Sequence, residues 1–166
     1  SGAGFSPGEI SIRYDNKEVA KVAAGNKGNF QITFEVPPSV AGEHRVTTEP
    51  ASTVETFTIV PKIAVDLALG HVGTRMGLSG TGFPPGKVSI WYDDREVATA
   101  TADKNGSVWL TFEVSSSIVG EHQITTQPTS TVETFTVTPK LTIEPGSGVV
   151  GTEVTVTGRG FPPREV

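Results

Sequence analysis

Cysteine is absent from the 166 residues, methionine occurs once and tryptophan twice. Without thiols there is no disulfide, no thiolate nucleophile and no cysteine-based zinc site, so stability must come from packing and hydrogen bonds. No apolar run approaches the roughly 20 residues that a bilayer crossing needs. The first residues show no basic segment followed by an apolar one, so neither targeting nor membrane insertion is expected of this segment. Positive charge is also scarce: 13 Lys and Arg stand against 18 Asp and Glu, a formal charge of -5. That balance leaves no cationic field for a phosphate backbone, and nucleic acid is not an expected partner. Plentiful instead are glycine at 19, proline at 12 and threonine at 22, which suit turns and β-branched strand positions.

The chain repeats itself. Shifted by 78 residues, Gly4-Phe5-Ser6-Pro7-Gly8 falls on Gly82-Phe83-Pro84-Pro85-Gly86, and Gly42-Glu43-His44 on Gly120-Glu121-His122. Thr53-Val54-Glu55-Thr56-Phe57-Thr58 recurs as Thr131-Val132-Glu133-Thr134-Phe135-Thr136. Residues 1–88 and 79–166 share 45 identities in 88 positions with no gap, which indicates a tandem duplication. Pro61 and Pro139 mark the expected junctions. The expected domains are residues 1–61, a unit lacking its first strands; 62–139, a complete unit; and 140–166, the first strands of a third. Both ends then fall in mid-unit, and the chain is expected to be a window on a longer array.

Period-2 patterning dominates and no helical stripe competes with it. Val88, Ile90 and Tyr92 alternate with Ser89 and Trp91; Val108, Leu110, Phe112 and Val114 alternate with Trp109, Thr111 and Glu113. The same pattern at 122–126, 135–137, 141–143 and 154–156 predicts half-buried strands. Asp93-Asp94-Arg95 and Asp103-Lys104-Asn105-Gly106 supply tight turns. About seven short strands in one 78-residue period predict an all-β fold of tandem immunoglobulin-like β-sandwich repeats. Within it, meander pairing places Lys21 facing inward, on an edge strand that the lysine protects.

The run Pro145-Gly146-Ser147-Gly148-Val149-Val150-Gly151-Thr152-Glu153-Val154-Thr155-Val156-Thr157-Gly158-Arg159-Gly160-Phe161 resembles the IPT/TIG family of immunoglobulin-like domains. Its pattern is proline, glycine, Gly-Thr, alternating valines and then Gly-x-Gly-Phe. Gly151 is expected to turn the chain into the second strand, and Gly158 and Gly160 to bend it so that Phe161 caps the core. The resemblance extends to every unit, although Leu67 replaces Pro145 and Met76-Gly77 replaces Val154-Thr155 in the middle one. It implies tandem domains of prokaryotic secreted or surface proteins and adhesins, or accessory domains of carbohydrate-active enzymes.

Catalysis requires a nucleophile, a base and an electrophilic hole in convergence, and no such set is visible. His44 and His122 share one phase and are read as packed strand-start residues; His71 lies alone in a loop. Asp15-Asn16, Asp93-Asp94 and Asp103-Lys104-Asn105-Gly106 offer too few carboxylates for calcium and are read as turns. Asn105-Gly106-Ser107 matches a glycosylation sequon on a tight turn. Trp91 and Trp109 occupy outward phases on what are expected to be neighbouring strands, and Arg13 and Gln31 replace them in the other copy. Exposed together, they are candidates for an interface or for stacking on glycans.

The expected function is therefore structural: part of a repetitive extracellular or cell-surface stalk, adhesin or filament, not an enzyme and without cofactor or metal. Its expected partners are neighbouring copies of itself or adjoining repeats, with Leu141, Ile143, Val154 and Val156 as a strand-complementation segment. The alternative is a carbohydrate-binding module that contacts surface glycans through Trp91 and Trp109.

Overall fold

The computed structural model describes residues 2–163. Among these residues there are fourteen strands and no helix, so none is long and apolar enough to cross a membrane. The chain divides after Val60 into two compact units.

In the first unit, β1 (Gly8–Tyr14), β2 (Lys17–Ala24), β3 (Gly42–Glu49) and β4 (Val54–Ile59) form an antiparallel sheet in the order β2-β1-β3-β4. Alternation buries Ile10, Ile12 and Tyr14, and Phe5 joins Ile10 and Ile12 in the core. β2 lies at the sheet edge, but Lys21 does not face inward. Ile12 pairs with Ala20 and Arg13 with Glu18, so Val19 is an extra residue. This bulge resets the side-chain phase. Lys21 consequently stands opposite Ser11 on the solvent side, with its Nζ 2.9 Å from Glu9 Oε1.

The segment Phe30-Gln31-Ile32-Thr33-Phe34 alternates as 108–112 does, yet it forms no strand. Its one pairing among the described residues is the bridge between Gly2 and Phe30.

In the second unit, β5 (Lys62–Val65), β7 (Arg75–Thr81) and β10 (Val108–Glu113) form a sheet in the order β10-β7-β5. A five-stranded sheet, β6-β12-β11-β8-β9, is built from β6 (Leu69–Gly70), β8 (Gly86–Tyr92), β9 (Arg95–Ala102), β11 (Gly120–Gln127) and β12 (Val132–Val137). Both sheets bury side chains in one cluster: Ile63, Met76, Leu78 and Leu110 from the first, and Val88, Ile90, Ile124, Phe135 and Val137 from the second. Two sheets sharing one apolar core are compatible with a β-sandwich. Phe83 is fully buried and lies over Gly80, where a Cβ would come within 2.7 Å of its ring.

β13 (Lys140–Glu144) and β14 (Thr155–Arg159) form a separate two-stranded antiparallel sheet. The half-buried state expected here is not found. Leu141, Ile143, Val154 and Val156 are 61, 52, 49 and 59 % exposed, and Val154 precedes β14. Alternation segregates their apolar side chains onto one face, and among the described residues no second sheet covers it.

Candidate functional site

The most organised polar geometry surrounds the two histidines of shared phase. At the β1–β2 hairpin, Asp15 and Asn16 both take positive φ, 46° and 70°, as a two-residue turn of right-handed twist requires. This turn aims the Asp15 carboxylate at β3, where Oδ1 accepts from the Arg45 N–H at 3.0 Å and Oδ2 lies 2.5 Å from His44 Nδ1. His44 Nε2 lies 2.8 Å from the Val40 carbonyl oxygen, and Tyr14 stacks on the ring with centroids 5.1 Å apart. Since a carbonyl and a carboxylate can only accept, the doubly protonated ring satisfies both contacts. The hydrogen bond from Nδ1 to Asp15 raises the His44 pKa against the opposing effect of burial, and the same bond lowers that of Asp15.

The second unit repeats the arrangement. His122 Nδ1 lies 2.7 Å from Asp93 Oδ2 and its Nε2 2.9 Å from the Ile118 carbonyl, while the Gln123 N–H donates to Asp93 Oδ1 at 2.9 Å. Tyr92 stacks on His122 with centroids 5.2 Å apart. These clasps fasten a hairpin turn to the start of a strand 29 residues away, and both ring nitrogens are engaged in doing so. His71 is not alone in its loop, since its Nδ1 lies 3.0 Å from the Thr138 carbonyl oxygen. Asp103 Oδ1 accepts the N–H groups of Asn105 and Ser107 at 2.9 and 2.8 Å, spending that oxygen on its own turn. Among the described residues no group of three His, Asp or Glu gathers to hold a metal.

The tryptophans are not neighbours. Trp91 belongs to β8 in the five-stranded sheet and Trp109 to β10 in the three-stranded sheet. Each alternates with core residues, so they project from the outer faces of two different sheets. The turn at 103–107 carries the chain from one sheet to the other, which the alternation alone does not reveal. Trp109 is 71 % exposed and borders a shallow cavity with Asp66, Gly77 and Thr111. Trp91 is half-buried, and among the described residues its indole N–H has no hydrogen-bond partner. A paired platform of indoles is therefore not formed.

An apolar groove of about 380 Å³ opens in the first unit, walled by Phe5, Ile12, Phe30, Ile32, Phe34 and Val46. In the second unit the corresponding Val108, Leu110 and Phe112 pair with Gly80, Leu78 and Met76 of β7. The expected complementation residues Leu141, Ile143, Val154 and Val156 form a further exposed apolar face. No family model matches the chain, and no curated protein matches it.

Sequence reasoning missed the carboxylate partners of the histidines. The available signal was that Asp15 and Asp93 recur in step with His44 and His122.

Proposed function

We propose that the chain is part of a repetitive extracellular or cell-surface stalk, adhesin or filament, built of tandem immunoglobulin-like β-sandwich units of IPT/TIG type that join head to tail. The observation that carries this reading is one local design recurring at fixed spacing. The Asp15–His44 and Asp93–His122 clasps use the same atoms. The β1–β2, β1–β3 and β3–β4 ladders have counterparts, 78 positions on, in β8–β9, β8–β11 and β11–β12. Repeats of constant phase, joined by short proline-marked segments, give reach in proportion to copy number, and chemistry is not needed for that role. Labelling native cells with antibodies against this segment is the test. Label along surface projections is expected; label confined to unassembled protein inside the cell contradicts the reading.

A second reading, glycan contact, is favoured by Trp109 beside the Asp66 cavity. It requires Trp109→Ala to abolish polysaccharide retention while the fold persists. Parent protein that retains no polysaccharide eliminates it.

A further inference from the structure

We infer that the outer face of the three-stranded sheet β10-β7-β5 holds a subsite for one neutral pyranose ring of a polysaccharide, stacked on Trp109 and hydrogen-bonded to Asp66. The inference rests on the glycan reading above and specifies the sugar class and the residues that take it.

The strand registers lay out two rows across this face. Trp109 stands opposite Ser79, and Ser79 opposite Ala64; Thr111 stands opposite Gly77, whose carbonyl accepts the Asp66 N–H at 3.0 Å. Neighbouring strands lie about 4.8 Å apart, so the indole and the Asp66 carboxylate rise roughly 10 Å apart across a floor of glycine and serine. That floor makes a trough along β7 of about 190 Å³. Pockets for drug-sized molecules hold about 300–1,000 Å³, so this one fits a single ring.

Gly77 lets the carboxylate lie there. A Cβ at this position would come within 2.7 Å of Asp66 Oδ2, while Asp66 Oδ1 accepts the Gly77 N–H at 2.9 Å. Oδ1 is thereby engaged, and Oδ2 is left to accept from a ligand. Thr111 Oγ1 accepts from Nε and Nη2 of Arg75 at 3.2 and 2.9 Å, which leaves its own proton to donate. Ser79 adds an exposed hydroxyl. An acceptor and two hydroxyls beside an exposed aromatic face match a pyranose, which carries hydroxyls around its rim and C–H groups on its faces. Among the residues lining the cavity only Asp66 is charged, and Arg75, outside the lining, stands opposite Glu113. An anionic sugar would meet a like charge, so the occupant is neutral.

The trough is a property of this unit and not of the fold. Ala64, Gly77 and Ser79 have Thr142, Thr155 and Thr157 as their counterparts 78 positions on, each a larger side chain, and the first unit has Gln31 for Trp109. Three smaller residues and an added indole coincide on one patch of one copy, which a role in length alone does not require.

Affinity electrophoresis of the 166-residue chain tests the inference, in gels holding a neutral polysaccharide (mixed-linkage β-glucan, galactomannan or starch) or an acidic one (polygalacturonate). Retardation by at least one neutral polymer, and not by polygalacturonate, is expected. Trp109→Ala is expected to weaken it on the order of tenfold or more. Asp66→Asn keeps an acceptor for the Gly77 N–H but turns the outer atom into a donor, and is expected to weaken it on the order of tenfold. Gly77→Thr with Ser79→Thr copies the residues of β14 and is expected to abolish it; Gly77 has no positive φ, and threonine suits a strand. Trp109 and Asp66 are exposed, so their variants stay folded and carry the test even where the threonine pair does not fold. Trp91→Phe, on the other sheet, is expected to change nothing. Retardation that needs Trp109 but survives Asp66→Asn leaves the glycan reading standing and removes this subsite. Equal or stronger retardation by polygalacturonate overturns the neutral ring, and retardation by none of the four polymers removes both subsite and reading.

Discussion

Phe57 and Phe135 stand in the same local sequence, Val-Glu-Thr-Phe-Thr, at matching places in β4 and β12. One is 44 % exposed and the other fully buried. The strands are alike, and the difference lies in what faces them. β12 has β6 alongside, and Gly70 lies so close that a Cβ there would come within 3.1 Å of the Phe135 ring. β4 has no counterpart of β6 among the described residues. The same contrast separates Phe112, 6 % exposed on a paired strand, from half-buried Phe34 on an unpaired segment. Local sequence sets the alternation, and the second sheet decides whether the apolar face is used. Full burial of such a side chain stabilises by about 1.5–3 kcal/mol, so the first unit forgoes part of that at each uncovered position.

The largest test of this contrast is Phe135→Ala against Phe57→Ala. The former is expected to cost about 3–5 kcal/mol and the latter about 1 kcal/mol, since only one empties a packed site. Both tryptophans lie in the second unit, so indole fluorescence in urea follows that unit alone; the His44 ring resonances follow the first. Equal losses would contradict the comparison. Next, Gly80→Ala is expected to cost the second unit about 1–3 kcal/mol, because the new methyl meets Phe83 at 2.7 Å and Val108 at 2.8 Å.

The two units agree at the clasp, and a smaller effect is expected there. Asp15→Asn keeps a residue tolerant of positive φ but removes the charge. It is expected to cost the first unit about 1 kcal/mol, at the low end because the carboxylate is half exposed. The His44 titration followed by NMR is expected to move down toward the ordinary value.

Proton linkage gives the accompanying pH dependence. The folded pKa of His44 is raised above its unfolded value. Its contribution is therefore complete below about pH 6.5 and is lost as pH rises through the folded pKa. The folded pKa of Asp15 is lowered, so its contribution is present above about pH 3.9 and lost as pH falls through the folded value. Urea midpoints for the first unit are expected to fall between pH 6 and pH 8.5, and Asp15→Asn is expected to flatten that slope. The smallest effect is expected from Val156→Lys, within about 0.5 kcal/mol on the isolated chain, since an exposed site forfeits little.

Much of this was legible in the sequence. Alternation located β8 and β10, and turn residues located the hairpin between β8 and β9 and the turn that leads from β9 into β10. Three features were hidden for identifiable reasons. A single-residue bulge at Val19 leaves the pattern of β2 almost intact while reversing the side of Lys21. Trp91 and Trp109 share a phase, but phase does not say which sheet a strand joins. The clasps link residues 29 positions apart, a distance over which a strand pattern carries no information about pairing. Residues 31–36 show the converse limit: they carry a strand pattern, and no ladder is formed because a ladder needs a partner.

The central claim is that a covering strand, and not the local alternation, decides whether an apolar face is used. Amide hydrogen exchange of the 166-residue chain tests this most directly. Protection of 108–113, which is paired along β7, is expected to exceed that of 31–36, which forms no ladder among the described residues. Protection at 31–36 equal to that at 108–113 would contradict the account.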